Sequence, residues 1–204
     1  MAASRRSADR ALLRDRPAKS VATKRAAVLT AAQLAALIAR ASPRDAALIA
    51  LMAAGAMRVG EATLLTWGDI DDCTITLAGG TTKTRAGRSF TLPEQACKLL
   101  QQWRQQCPST KLGWVFPGLR GQPLSVRAAQ VAIGKLAAQE GIKGVSSHSF
   151  RRSALTAAHE AGLSLKAVAE ISGHQSLAAL ERYLDQGVAK DKAEAARGLL
   201  FSSL

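Results

Sequence analysis

The most informative stretch of the chain is residues 147–184, SHSFRRSALTAAHEAGLSLKAVAEISGHQSLAALERYL. Its motifs HSFRR (148–152), ISGH (171–174) and ERY (181–183) combine two histidines, two adjacent arginines and the only tyrosine of the protein. Basic side chains lower the free energy of ionising a phenol, whose pKa ordinarily lies well above neutrality. The stretch therefore predicts that Tyr183 is a nucleophile aimed at an anionic group.

The charge of the chain predicts a polyanionic partner. Lys and Arg number 28 against 15 Asp and Glu among 204 residues, which gives a formal net charge of +13 at pH 7. Such a surface attracts nucleic acid, and an anionic membrane is the alternative. No apolar run approaches the roughly 20 residues that a bilayer span requires. Nucleic acid is therefore the expected partner.

The N-terminal residues 1–27 form a basic arm with eight Lys or Arg side chains against Asp9 and Asp15. An arm of this composition is either a solubilising tail or a strap that contacts phosphates once DNA is bound, and we expect the strap. Residues 28–204 would then form the folded domain. Its three cysteines, Cys73, Cys97 and Cys107, are odd in number and lack metal-ligand spacing. They predict a reducing compartment, thiols without a structural role, and no metal or cofactor.

Hydrophobic periodicity predicts an α+β fold that is mainly helical, with a small antiparallel sheet at one edge. Thr30 can cap a first helix, and Pro43 fits the first turn of a buried second helix that ends near Gly55. Residues 67–93 alternate and contain glycine turns, which predicts two or three strands. Further helices are predicted at 93–107, 125–140, from a cap at Ser147, at 164–172, from 176, and at 190–200.

Several basic residues stand where an anion could bind. Arg58 lies in a Gly-punctuated turn between apolar elements, and Glu61 is its expected partner because an unpaired buried charge is costly. A purely structural ion pair is the alternative. His148 and Arg151, three residues apart, are expected side by side at a helix N-terminus, which favours anions. Three more basic residues are expected on the connecting hairpin of the sheet, where they are either solvated or able to reach a bound ligand: Lys83, Arg85 and Arg88.

Together these residues resemble the catalytic domain of the tyrosine recombinase (phage integrase) family over roughly residues 29–184. The family pattern is an arginine followed three residues later by glutamate, a hairpin lysine, H-x-x-R, a histidine or tryptophan after glycine, and a tyrosine nine positions on. The chain departs from it at Arg152, where histidine is common, and at Phe150, where leucine is usual. It carries no separate N-terminal helical domain, so we expect a fragment or a short, catalytic-domain-only member. The matching residues are Arg58, Glu61, Lys83, His148, Arg151, His174 after Gly173, and Tyr183.

The resemblance implies a site-specific recombinase or integrase that cuts and rejoins DNA through a 3′-phosphotyrosyl intermediate, without metal or ATP. Tyr183 would attack the scissile phosphate, and Arg58 and Arg151 would bind its non-bridging oxygens. His148 would assist deprotonation of the tyrosine, His174 would donate to a phosphate oxygen, and Lys83 would protonate the leaving 5′-oxygen. Glu61 would support Arg58. The further DNA contacts would be Arg85, Arg88, Arg152 and Arg182.

The resemblance also implies double-stranded DNA as the partner, with two protomers per core site and four in the synapse. Without DNA we expect a monomer or weak dimer, and on DNA a C-terminal helix at about 185–204 would dock on a neighbour. The expected location is the cytoplasm of a bacterium, at the nucleoid, with the gene bacterial or phage-encoded. No membrane association is expected.

Two alternatives stay open. Residues 163–184 also have the apolar pattern of a helix-turn-helix, which predicts a DNA-binding regulator without catalysis. That interpretation leaves Arg58, Lys83 and His148 unexplained. A type IB topoisomerase uses the same kind of nucleophile and cationic cage, but the enclosing clamp usual in that class is missing from the sequence.

Overall fold

The computed structural model of the chain describes residues 26–77, 79, 87–173, 180 and 184. These residues form seven α-helices, one three-stranded sheet and two 3₁₀ turns, at Trp67–Asp69 and Leu119–Gly121. The expected α+β class, mainly helical with a small antiparallel sheet, is confirmed. The helices are α1 Ala31–Arg40, α2 Pro43–Ala54, α3 Val59–Thr63, α4 Glu94–Gln106, α5 Val126–Gln139, α6 Ser147–Glu160 and α7 Leu165–Ser172. The strands are β1 Ile70–Asp71, β2 Thr74–Leu77 and β3 Arg88–Thr91.

Local capping sets the helix ends. Thr30 caps α1 through a reciprocal box, because its Oγ1 accepts from the Gln33 N–H at 3.2 Å and its own N–H donates to Gln33 Oε1 at 3.0 Å. Pro43 is the first residue of α2, and Gly55 is its C-cap, both as predicted. The predicted cap of α6 is wrong by one residue. Ser146 is the cap, since its extended backbone lets its Oγ accept from the His148 N–H at 3.3 Å.

Helix α2 lies at the centre of the domain. It packs against α1, α3, α4, α5 and α6, and its residues 46–52 are all buried. A helix that is apolar nearly all round must be enclosed by other elements, so the predicted burial of α2 is confirmed. A smaller apolar cluster, separate from this core, joins Ala56 to α6 and α7 through Leu155 and Val168. The end of α2 therefore lies between the two clusters.

The sheet is antiparallel in the order β1-β2-β3. Ile75 opposes Phe90, and Leu77 opposes Arg88. Because side chains alternate along a strand, Arg88 and Phe90 share one face of β3. That face is turned toward the end of α2, because the Arg88 side chain donates to the Gly55 carbonyl.

The prediction that the cysteines have no structural role is wrong. Cys73 and Cys97 form a disulfide, with Cα atoms 5.5 Å apart, that joins the β1–β2 turn to α4; Cys107 is a free thiol. The pairing follows from tertiary packing of the sheet on α4 and leaves no trace in sequence spacing. Asp72 brings a carboxylate oxygen within 4.8 Å of both sulfurs, but metal ligation needs thiolates and the disulfide removes them.

Within the described part of the chain, no helix is both long and apolar enough to cross a membrane.

Candidate active site

The end of α2 holds two arginines that come from distant parts of the chain. Arg88 of β3 donates from Nη2 to the Gly55 carbonyl at 3.2 Å, and Arg151 of α6 donates from Nη1 to the Ala56 carbonyl at 2.6 Å. The last carbonyls of a helix have no partner within it and carry partial negative charge, so they favour cations. The consecutive carbonyls of Gly55 and Ala56 thus bind one arginine from β3 and one from α6, which places both elements at the end of α2.

Ala56 turns its carbonyl toward Arg151 through an unusual backbone conformation. Its φ is 45°, in the left-handed region that non-glycine residues seldom occupy, and its side chain is fully buried. Such a conformation costs about 1–2 kcal/mol for an L-residue, so the surrounding structure must hold it. The buried Leu155 and Val168 in its cluster supply that packing.

Arg58 and Glu61 form the predicted pair. Arg58 is the N-cap of α3, so the Gly-punctuated segment is a turn that continues into a five-residue helix. The Arg58 N–H donates to Glu61 Oε2 and its Nη1 donates to Glu61 Oε1, both at 2.9 Å. The Arg58 side chain is still 33% exposed and lines a cleft. Its guanidinium therefore has a fixed partner on one side and access to a ligand on the other.

Glu61 is shared between two arginines. Besides its bonds to Arg58, its Oε2 accepts from Arg88 Nη2 at 3.1 Å. Burial acts to raise the pKa of Glu61, but the Arg58 N–H, the charge of Arg88 and the Arg58 guanidinium together hold that pKa below its ordinary value. Glu61 is thus a carboxylate that is kept ionised by both arginines.

These side chains line one cleft of about 770 Å³. His148 stands exposed in the first turn of α6 and forms part of its wall. Gly173, the left-handed C-cap of α7, lies in the same wall, as do apolar side chains from α3 and β2. The cleft therefore combines two guanidinium groups, the carboxylates of Glu61 and Asp69, and an imidazole. Such a set can bind an anionic substrate and transfer a proton to or from it.

Arg151 is placed differently from the sequence expectation. His148 and Arg151 were expected side by side at the start of α6, but only His148 is exposed in the cleft. Arg151 is 1% exposed and donates to the Ala56 carbonyl, and it is not among the described residues that line the cleft. Residues three apart on a helix share a face but differ in depth when one side packs against the core.

Arg88 and Arg152 have structural contacts that the sequence interpretation missed. Arg88 is the first residue of β3, not part of the connecting turn, and its side chain is only 15% exposed. The alternation Arg88, Phe90, Leu92 was a usable signal, because it puts Arg88 on the strand face that carries the large apolar residues. Arg152 is 8% exposed and donates to the Ala26 carbonyl, which ties the start of the domain to α6.

The following predicted residues lie outside the described part of the chain: Lys83, Arg85, His174, Arg182 and Tyr183. Residues 1–25 of the predicted basic arm and the predicted helix at 190–200 lie outside it as well, and of the predicted helix from 176 only Leu180 and Leu184 are described. Of the six expected catalytic residues, the structure describes Arg58, His148 and Arg151.

Comparison with known proteins gives a consistent result. The chain is 31% identical over 142 residues to tyrosine recombinase XerC of Xanthomonas axonopodis pv. citri (strain 306), covering 69% of this chain and 46% of that protein. It is 31% identical over 156 residues to tyrosine recombinase XerC of Bifidobacterium longum (strain DJO10A), covering 70% and 43% respectively. The chain therefore spans less than half the length of these curated relatives.

Solved structures show the same fold. The XerA recombinase matches with a TM-score of 0.74 at 22% identity, covering 84% of this chain and 65% of that one. The integrase from mycobacterium phage Brujita matches with a TM-score of 0.57 at 27% identity, covering 70% and 47%. The model of the phage integrase family matches residues 27–189, which is most of the chain. With most of the sequence matched and the arginine–glutamate pair and the histidine lining one cleft, this chain belongs to the phage integrase family.

Proposed function

We propose that this chain provides the catalytic domain of a site-specific DNA recombinase that cuts and rejoins strands through a 3′-phosphotyrosyl intermediate. The observation that carries the proposal is the cleft in which Arg58, fixed by Glu61, faces the same space as His148. A guanidinium held on one side by a carboxylate is oriented in advance for a phosphate on its other side. Family membership supports the same activity.

The proposed chemistry needs neither metal nor ATP. The phenolate oxygen of Tyr183 forms a bond to the scissile phosphorus, and the bond from phosphorus to the 5′-oxygen breaks. His148 takes the phenol proton, and Lys83 gives a proton to the departing 5′-oxygen. Because the new ester keeps the energy of the old one, a 5′-hydroxyl of another strand can attack it and reseal the backbone.

Charge stabilisation at the phosphate is the role of the cationic residues. Arg58 would bind one non-bridging oxygen directly from the cleft. Arg151, held on the Ala56 carbonyl, would contribute its charge from a buried position, where water screens its field little. His174, which follows the cleft residue Gly173 in the sequence, would donate to a phosphate oxygen.

Double-stranded DNA is the proposed partner. The net charge of +13 supports attraction to the phosphate backbone, and the similar Tn1549 transposon integrase was solved in complex with a circular intermediate DNA. Residues 1–27 would act as the strap and 28–204 as the domain, with two protomers at a core site and four in the synapse. The proposed backbone contacts outside the cleft are Arg85 and Arg182.

A nicked suicide duplex tests the proposal. The chain is incubated with a pool of such duplexes of varied sequence, and adducts that resist denaturant are separated on a gel. We expect a covalent protein–DNA adduct that disappears in Tyr183→Phe, since the phenol oxygen forms the bond. No adduct from folded protein would favour the helix-turn-helix regulator. An adduct accompanied by supercoil relaxation without site preference would favour the topoisomerase.

A further inference from the structure

Arg88 connects its own strand, β3, to three other elements around the cleft. Its Nη2 donates to Glu61 Oε2 at 3.1 Å and to the Gly55 carbonyl at 3.2 Å, which links β3 to α3 and to the end of α2. Its Nη1 lies 3.2 Å from the position that a β-carbon on Gly173 would occupy, so α7 also closes on this guanidinium. Arg88 thus stands where four elements meet, with its side chain 15% exposed.

The contact with Glu61 controls how Arg58 is held. Glu61 uses Oε1 for the Arg58 guanidinium and Oε2 for both the Arg58 N–H and Arg88. A carboxylate bound by a cation at each side has one favoured orientation, whereas a carboxylate with one cation can rotate toward water. Removing Arg88 would therefore loosen Glu61 first and the Arg58 guanidinium second.

The geometry argues against Arg88 itself being a phosphate ligand. The Nη2 nitrogen of Arg88 donates both to Glu61 and to the Gly55 carbonyl, and the side chain as a whole is 15% exposed. Arg58, by contrast, has a side chain that is 33% exposed. Each terminal nitrogen of an arginine carries two N–H donors, so the Nη2 of Arg88 has none left for a phosphate.

We propose that Arg88 is a positioning residue for strand cleavage, which acts through Glu61 to orient Arg58 and does not contact the DNA backbone. This inference rests on the proposed recombinase function. It assigns to the first residue of β3 a role in the reaction that is separate from DNA affinity. Misplacement of a catalytic group by about 1 Å can lower a rate by about 100-fold, so the effect should be measurable.

The first experiment compares Arg88→Gln with Arg44→Gln. The control removes an arginine of the same kind, because Arg44 also pairs with a carboxylate, Asp45, at 2.9 Å, and it does not line the cleft. Two quantities are measured for each variant: the single-turnover rate of adduct formation on the suicide duplex, and the dependence of the DNA-binding constant on salt concentration. For Arg88→Gln we expect cleavage to slow by about 10- to 100-fold, with a salt slope equal to that of the control.

Two results would overturn the inference. Folded Arg88→Gln could cleave at the wild-type rate, which would remove Arg88 from the reaction. Alternatively, the slope of the logarithm of the DNA-binding constant against the logarithm of salt concentration could be smaller by about 0.9 than in the control. That change corresponds to one lost phosphate contact. If Arg88→Gln does not fold, Arg88→Lys replaces it. The shorter ammonium should not reach both acceptors, so we expect slower cleavage with an unchanged salt slope, and wild-type cleavage would reject the proposal.

Action through Glu61 is tested by a double-mutant cycle and by titration. In a Glu61→Gln background, Arg88→Gln should change the cleavage rate by less than about twofold, and fully additive losses would overturn the proposed route.

Titration is the second test. In Arg88→Gln the acid side of the plot of cleavage rate against pH should move to higher pH, and carboxyl NMR should show a raised pKa of Glu61. If wild-type protein forms no adduct, the recombinase proposal fails. The NMR titration still decides whether Arg88 holds Glu61, and an unchanged pKa would reject it.

Discussion

The tip of the Phe90 ring lies against Gly55, where an added β-carbon would stand 2.2 Å from the ring atom Cζ. Gly55 is also the residue whose carbonyl accepts from Arg88. One glycine at the end of α2 therefore receives both the apolar and the cationic side chain of β3. Its lack of a side chain lets the sheet approach the helix closely enough for Arg88 to reach Glu61.

Gly55→Ala should destabilise the domain. The added methyl group has no space against the tip of the Phe90 ring, and such overpacking typically costs about 1–3 kcal/mol. The free energy of unfolding in urea measures the effect. Gly134→Ala in α5 is the control, because no atom lies within 4 Å of its added β-carbon and alanine favours a helix. Equal stability of the two variants would contradict the close contact.

Arg58→Lys should separate cleavage from DNA binding. Lysine keeps the positive charge but cannot bind the Glu61 carboxylate and a phosphate oxygen with one planar group. We expect adduct formation to fall by a factor that corresponds to about 3–4 kcal/mol of barrier, by analogy with loss of an oxyanion donor. Fluorescence anisotropy should show DNA affinity close to wild type. A parallel fall in affinity and rate would mean that Arg58 serves mainly to bind DNA.

Acidification should destabilise the wild-type protein more than Glu61→Gln. The folded pKa of Glu61 lies below its ordinary value of 4.5, so its stabilising contribution is present above that value. The contribution is lost as pH falls from the unfolded-state pKa through the lower folded-state pKa. Glutamine does not titrate and should lack this part of the pH dependence. Unfolding free energies measured on both sides of pH 4.5 would show it, and parallel curves for the two proteins would refute it.

Arg152→Gln should release the start of the domain from α6. Loss of the guanidinium removes the hydrogen bond to the Ala26 carbonyl, worth about 1.5–3 kcal/mol for a charged donor. Hydrogen exchange at the Leu29 amide, which donates to Ser153 Oγ at 2.7 Å, should become faster. Arg127→Gln, at an exposed position of α5, is the control. Unchanged exchange at Leu29 would show that Arg152 does not anchor this segment.

Reduction of the Cys73–Cys97 disulfide should lower stability. The bond closes a loop with a sequence separation of 24, and a disulfide of this span typically contributes about 2–4 kcal/mol. Urea unfolding with and without reductant measures the difference. Cys73→Ser should remove the response to reductant, and Cys107→Ser should retain it. A reductant effect that survives in Cys73→Ser would point to a different origin.

Local features of the domain were predictable because they depend on residues close in sequence. Thr30, Pro43, Gly55 and Gly173 mark helix ends through backbone hydrogen bonds or φ preferences that neighbouring residues satisfy. The Arg58–Glu61 pair spans three residues and was predicted on the same ground. The choice between Ser146 and Ser147 as the cap of α6 was missed, since both carry the same hydroxyl group, and so was the short helix α3, which was predicted as a turn.

Tertiary structure decided the features that depend on residues far apart in sequence. Packing of the sheet against α4 joined Cys73 to Cys97, and packing of β3 against the end of α2 turned Arg88 from an expected hairpin residue into a partner of Glu61. Packing of α6 against α2 buried Arg151 while leaving His148 exposed. Sequence determines which side chains are available and which short segments are helical, because those depend on local sterics and hydrogen bonds. The depth and partner of each charged group depend on how the elements pack, and only the folded chain defines that.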